Sequence, residues 1–342
     1  MTRPADVAVY VSNADSGDIS VLCFEAASGG ITLLQTLPLG GMVMPLALSP
    51  DRRFLYAAQR SVPWGVDTLS IDAASGHLTR IGQAALPESM AYLATDRSGR
   101  WLFSASYGGH CIAVSPIGAD GVVGECDAVW PTGRHAHAVQ ADPTNRFVLA
   151  TSLGGGVLES FRFDAASGSL SSNDPHSMQP HPGASPRHFV YSWDGRFVYL
   201  LGELDAMVDA LAVDLNSGAL RTLQTLNAAP SGFSGGRWAA DLHLTPDGRF
   251  LYASERRSST LAGFRVDAAN GTLTPFGHVA TQAQPRGFAI TPDGGWLLAA
   301  GQRSHRLGIH RIDPLTGVLA PRGEIGVGLN PNWVECVALG GR

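Results

Sequence analysis

The sequence predicts an all-β chain folded as a seven-bladed β-propeller of four-stranded blades, with the last blade closed by both termini. Three observations predict it. Two different hairpin units repeat along the whole chain, their shared period is the length of one blade, and their copy numbers differ by one.

The first unit reads Ser49-Pro-Asp-Arg-Arg-Phe-Leu-Tyr56 and recurs around Trp101, Phe147, Phe197, Phe250 and Trp296, at intervals of roughly 47 residues. Its fullest form, Thr245-Pro-Asp-Gly-Arg-Phe-Leu-Tyr252, is a tight turn between two short apolar runs, since proline presets φ and glycine accepts φ > 0. The second unit, Phe163-Asp-Ala-Ala-Ser-Gly-Ser-Leu170, is also a hairpin; its glycine stands at Gly29, Gly76, Gly121, Gly168, Gly218, Gly271 and Gly317. Seven hairpins but six turns leave one turn missing. The run Val7-Ala-Val-Tyr-Val-Ser12 resembles a strand that follows such a turn, and Asn332-Trp-Val-Glu-Cys-Val337 one that precedes it. The missing turn is therefore where the chain ends fall, and pairing the two runs removes open sheet edges. No long 3.6-period stretch with caps is present, so helix is minor. Residues 1–342 read as a single domain.

Composition narrows the chemistry. All 24 basic residues are arginine, so a Schiff-base lysine and a phosphate-loop lysine are excluded. A net charge of −5 with 15% charged residues leaves no footprint for nucleic acid or an anionic membrane. No apolar window is long enough for a membrane span. The opening Met-Thr-Arg-Pro lacks the pattern of a secretory leader, and Cys23, Cys111, Cys126 and Cys336 show no CxxC spacing. The expectation is a reduced, cytoplasmic protein.

Within a blade the first-unit turn joins the two innermost strands, so the start of the first and the end of the second lie on the opposite face. Aligning the repeats puts Met44, Ala91, His137, Arg187, Ala240, Arg286 and Asn332 in one column and Arg60, Tyr107, Leu153, Glu203, Arg256 and Gln302 in another. Both columns are expected to ring one channel mouth. Solvation of a wet rim accounts for some polar residues there, but convergent Arg, His and Glu in a concave funnel make it the candidate ligand site.

The stretch Phe233-Ser-Gly-Gly-Arg-Trp-Ala-Ala-Asp-Leu-His-Leu-Thr-Pro-Asp-Gly-Arg249 resembles the signature of the seven-bladed propeller lactonases, a family that includes bacterial 6-phosphogluconolactonases and the carboxy-muconate lactonizing enzyme. Pro186-Arg-His-Phe189, Gly202-Glu-Leu204, Gln284-Pro-Arg-Gly-Phe288 and Gly301-Gln-Arg-Ser-His305 match further segments in order. The resemblance implies hydrolysis of a sugar δ-lactone, first of all 6-phosphoglucono-δ-lactone, with no cofactor and no metal. It carries His137, Arg187, Glu203, Arg237 and Arg286 over as site residues. Water attacking a lactone carbonyl needs a base and a positive group where the oxyanion forms. His137 is a candidate base, with Glu203 as the alternative base or as its orienter; Arg187 is assigned to the oxyanion. Arg237 and Arg286 are expected to clamp a phosphate or carboxylate with their planar forks. Arg256, Gln302 and Asn332 complete the expected substrate-binding rim. The expected partner is thus a small anionic sugar lactone.

Other readings compete. A muconate-type lactonizing reaction or an unphosphorylated aldonolactone would use similar residues, and a non-catalytic binding scaffold would use the same fold. Gly232-Phe-Ser-Gly-Gly236 matches a nucleophile elbow, but it falls in a loop before a strand, outside the strand-to-helix turn that the elbow needs. His135 and His137 are read as sharing one side of a strand without a spacing that specifies a metal. Asp241 and His243 also share a side, where a structural pair is the preferred reading. Glu255-Arg256-Arg257 reads as a solvated strand end apart from Arg256, and Asn270-Gly-Thr272 as a turn.

Overall fold

The computed structural model describes residues 5–340; the opening Met1 to Pro4 reading lies outside them. Among the described residues there are twenty-eight strands, β1 to β28 in chain order, and no helix. They form seven antiparallel sheets of four strands. The innermost strands are β4 (Val43–Leu48), β8 (Met90–Thr95), β12 (Ala136–Ala141), β16 (Pro186–Tyr191), β20 (Ala239–Leu244), β24 (Pro285–Ile290) and β28 (Pro331–Ala338). Each touches the next, and β28 touches β4, so the ring is closed.

The closing blade has the order β28-β1-β2-β3, with β1 (Val7–Asn13) paired antiparallel to β28 from Val7↔Ala338 to Ser12↔Trp333. The two ends of the chain thus share one sheet, as the mismatch in repeat number predicts. Ladder hydrogen bonds between the ends leave no unpaired edge at the seam.

The two repeat units are halves of one contact between blades. A Cβ built on Gly121 would strike the ring of Phe54, on Gly168 Trp101, on Gly218 Phe147, on Gly271 Phe197, on Gly317 Phe250 and on Gly29 Trp296. The aromatic of each first unit therefore packs directly against the glycine of the next blade's second unit. These glycines also have φ between 75° and 84° for all but Gly218 at 73°, so the position demands glycine twice over. Gly76 meets Ala8 instead, in the one blade that has no first-unit turn. Tyr10, Tyr56 and Tyr252 reinforce the contact by donating their hydroxyls to the carbonyls of Gly76, Gly121 and Gly317. Burying such aromatic rings contributes roughly 1.5–3 kcal/mol each, so these contacts add to the apolar clusters that join neighbouring sheets.

Candidate active site

The innermost strands aim their second residues into the channel by a shared distortion. In β16, Pro186 pairs with Gly202 and His188 with Leu201, leaving Arg187 as an extra residue. Arg286 is skipped in the same way in β24, and Asn332 in β28. In β12 the shift spans His137 and Ala138. A bulge bends its strand and re-aims a side chain, and here it places Arg187 and its neighbour His188 in one hydrogen-bonded group.

Glu203 follows β17 (Phe197–Gly202) directly and is the hub of the mouth. Its Oε2 accepts from Arg187 Nε at 2.9 Å, and its Oε1 accepts from Trp238 Nε1 at 2.8 Å and pairs with Arg256 Nη2 at 3.1 Å. The Arg256 guanidinium stacks 3.8 Å from the centre of the Trp238 ring. Arg187 Nη1 donates to His188 Nε2 at 3.1 Å and to the carbonyl of Ala240. His137 Nε2 lies 3.9 Å from Glu203 Oε2, near enough for an ion pair and too far for a hydrogen bond. The imidazole is buried, and its Nδ1 has no hydrogen-bond partner.

Charge is concentrated here against the trend of the molecule. Burial would raise the Glu203 carboxyl, but the Arg187 and Arg256 guanidiniums and the Trp238 hydrogen bond outweigh it and hold the group below its ordinary value. Glu203 is therefore ionised and a weak proton acceptor. Burial, then Arg187, His188 and Arg286, push His137 well below 6.5, so its imidazole is neutral at neutral pH. Burial and the neighbouring Arg187 and Arg60 lower Arg286, which still stays protonated. Arg286 is half-buried, and among the described residues no hydrogen bond or ion pair engages its guanidinium. Arg60, anchored by Nε to Ser89 Oγ at 3.1 Å, is also lowered by burial and by Arg187. Three guanidiniums, those of Arg187, Arg256 and Arg286, thus act on the Glu203 carboxylate, with Arg60 a further positive charge beside Arg187 and Arg286.

The structure brings His137, Arg187, Glu203, Arg256 and Arg286 together, as the two columns predict. Arg187 is 1% exposed and already bonded through Nε and Nη1, so its charge reaches the site from beneath Glu203 instead of through an open fork. Arg237 donates Nη1 to the carbonyls of Phe233 and Gly235, both at 2.7 Å, within its own loop. Its tie to the site is Trp238, the next residue. Gln302 lies between Gln284 and Asn330, and Asn332 bonds the carbonyls of Ser12 and Val43, so both rim amides are engaged within the protein.

Two expectations are corrected. His135 and His137 do not share a strand face: His135 precedes β12 with φ 61° and stacks on Tyr107, their ring centres 4.2 Å apart. Glu255 is fully buried, accepting from the backbone of Trp238 and Ser258, so of the expected solvated end only Arg257 is exposed. Sequence reasoning also missed Trp238, His188 and Asp241 as members of the group, although the first lies beside Arg237 in the signature stretch. Asp241 and His243 do form the expected pair, at 3.1 Å. Among the described residues no three His, Cys, Asp or Glu are grouped to hold a metal ion.

Fold and mouth together define a propeller with a buried imidazole, an ionised carboxylate and several arginines at one end of its channel. The sequence model of the family described as "Lactonase, 7-bladed beta-propeller" matches residues 7–336, and the chain belongs to that family. It is a lactone-hydrolysing carboxylic-ester hydrolase. A protein named 6-phosphogluconolactonase from Pectobacterium carotovorum is 43% identical over 97% of this chain and 98% of its own length. One of the same name from Serratia proteamaculans is 40% identical over 82% of this chain and 84% of its own. Among solved structures, the periplasmic gluconolactonase of Pseudomonas aeruginosa superposes with a TM-score of 0.91 at 30% identity, covering 98% of this chain and all of that one.

Proposed function

We propose that this lactonase hydrolyses 6-phosphoglucono-δ-lactone to 6-phosphogluconate. The observation that carries the reading is the set of three guanidiniums acting on Glu203, with Arg60 beside two of them, more positive charge than a neutral lactone requires. Neutral His137 is the base: it takes a proton from the attacking water as the carbonyl carbon becomes tetrahedral, and the imidazolium returns one to the ring oxygen as the C–O bond breaks. Glu203, 3.9 Å away, stabilises the imidazolium during that interval. Arg187 supplies positive potential for the oxyanion within a low-dielectric site. Arg286, whose guanidinium has no hydrogen-bond or ion-pair partner among the described residues, takes the phosphate.

A second reading is an unphosphorylated aldonolactone, favoured by the gluconolactonase name of the Pseudomonas structure. Acid release measured in a pH-stat separates the two. The proposal expects kcat/KM for fresh 6-phosphoglucono-δ-lactone at least about tenfold above that for glucono-δ-lactone, since one charge-assisted clamp is worth roughly that factor. Equal values favour the second reading. The cytoplasm is the proposed location, supported by four free cysteines; a periplasmic placement is that of the Pseudomonas relative. No helix among the described residues is long and apolar enough to cross a membrane.

A further inference from the structure

Below the mouth, a line of hydrogen bonds runs down the channel away from the substrate side. Arg187 Nη1 meets His188 Nε2 at 3.1 Å, His188 Nδ1 meets Asp241 Oδ1 at 2.9 Å, and Asp241 Oδ2 meets His243 Nε2 at 3.1 Å. His188 and Asp241 are 3% and 6% exposed. The direction of each bond follows from chemistry alone. A guanidinium has donors and no acceptor, so His188 Nε2 must present a lone pair to Arg187. A neutral imidazole with a free Nε2 carries its proton on Nδ1, and that proton points at Asp241. Asp241 is consistent with an acceptor throughout, since Leu242 N and Phe288 N also donate to it, at 3.1 and 3.3 Å.

We propose that His188 and Asp241 are positioning residues for lactone hydrolysis: Asp241 fixes the tautomer of His188, and the lone pair thereby exposed holds the Arg187 guanidinium so that its Nε stays on Glu203. The proposal rests on the hydrolytic reading of the site. The electrostatics agree with it. Burial and Arg187 hold His188 down to about 4, hence neutral, while the two histidines outweigh burial to keep Asp241 well below the usual carboxylate range. Without Asp241 the Nδ1 proton has no acceptor, and the competing Nε2–H form, which points its proton at a cation, costs less by comparison. Arg187 needs such support because it is itself a bulge residue, free of the ladder register that fixes its neighbours.

The pair also ties blades, since Asp241 of β20 reaches β16 and β24. The test must therefore read more than stability. Glutamine at 188 sets its carbonyl oxygen near the place of Nε2 and can accept from Arg187, whereas asparagine ends too short. His188→Asn is expected to lower kcat by about 10²-fold with KM little changed, because a misplacement near 1 Å costs that much. His188→Gln is expected to recover most of the loss at a similar melting temperature. Equal rates in the two variants, whether both slow or both normal, overturn the proposal. Independently of any activity, ¹⁵N NMR of the wild-type imidazoles is expected to show His188 protonated at Nδ1 and bare at Nε2. A proton on Nε2 overturns the proposal even if both variants fail to fold. Wild-type protein that turns over no lactone would defeat the hydrolytic reading and leave the tautomer result to judge the pair.

Discussion

Arg187 Nε donates to Glu203 Oε2 at 2.9 Å, so the start of an innermost strand and the end of its partner meet within a single blade. That bond joins the two repeat-aligned columns and explains why one carboxylate can serve a mouth lined by residues from several blades. It buries Glu203 as an ion and leaves His137, 3.9 Å off, as the neutral group.

Removing either member should therefore disable chemistry and leave the fold. His137→Ala and Glu203→Gln are each expected to lower kcat for lactone hydrolysis by about 10²-fold or more. Far-ultraviolet circular dichroism should match the wild type. Full activity in both variants would end the assignment.

Arg286 is assigned to the phosphate, so its loss should discriminate between substrates. Arg286→Gln is expected to raise KM for the phosphorylated lactone by about tenfold to 10²-fold and to leave glucono-δ-lactone within a few-fold. Paired Michaelis–Menten measurements check this, and an equal effect on both substrates would move Arg286 to the reacting carbonyl.

The repeat contact gives a stability prediction with an internal control. Gly168 and Gly183 have φ of 75° and 76°, but a Cβ on Gly168 would strike Trp101, while one on Gly183 meets nothing within 4 Å. Both alanine variants carry the backbone cost of about 1 kcal/mol. Gly168→Ala should lose a further 1–3 kcal/mol or so from displacing the ring, read from urea unfolding.

Much of the fold is legible in the sequence. The Pro-Asp-Gly-type turns, repeated six times, and the glycine hairpins, repeated seven, are local chemistry, so their period and their mismatch specify the ring and its seam. The two columns follow because every blade has the same length between turn and mouth. What stayed hidden depends on deviations from the repeat. Strict strand alternation sets Arg187 and His188 on opposite faces, and only the bulge brings both into one hydrogen-bonded group. The place of Trp238 in the group is hidden because its indole partner, Glu203, lies 35 residues away in sequence. His135 seemed to share a face with His137 until its left-handed φ turned it outward onto Tyr107.

Acid should weaken the fold through its neutral histidines. Burial holds His310 and, with Arg187, His188 down to about 4, whereas the unfolded chain protonates near 6.5. Between those values the unfolded state binds more protons, so stability falls as pH drops from about 6.5 towards 4. His243, which Asp241 raises against the pull of burial, acts oppositely, its contribution being complete below about 6.5 and lost as pH climbs through the raised value. Melting temperatures from pH 7 to 4.5 should decline, and the decline should be shallower in His310→Gln, whose site lies outside the mouth.

A crystal structure with the product, 6-phosphogluconate, tests the central claim most directly. The account predicts one molecule in the channel mouth, its phosphate on Arg286 and its carboxylate beside His137 and Glu203. A product bound on another face of the propeller, or in the mouth with its phosphate turned away from every arginine of the rim, would contradict it.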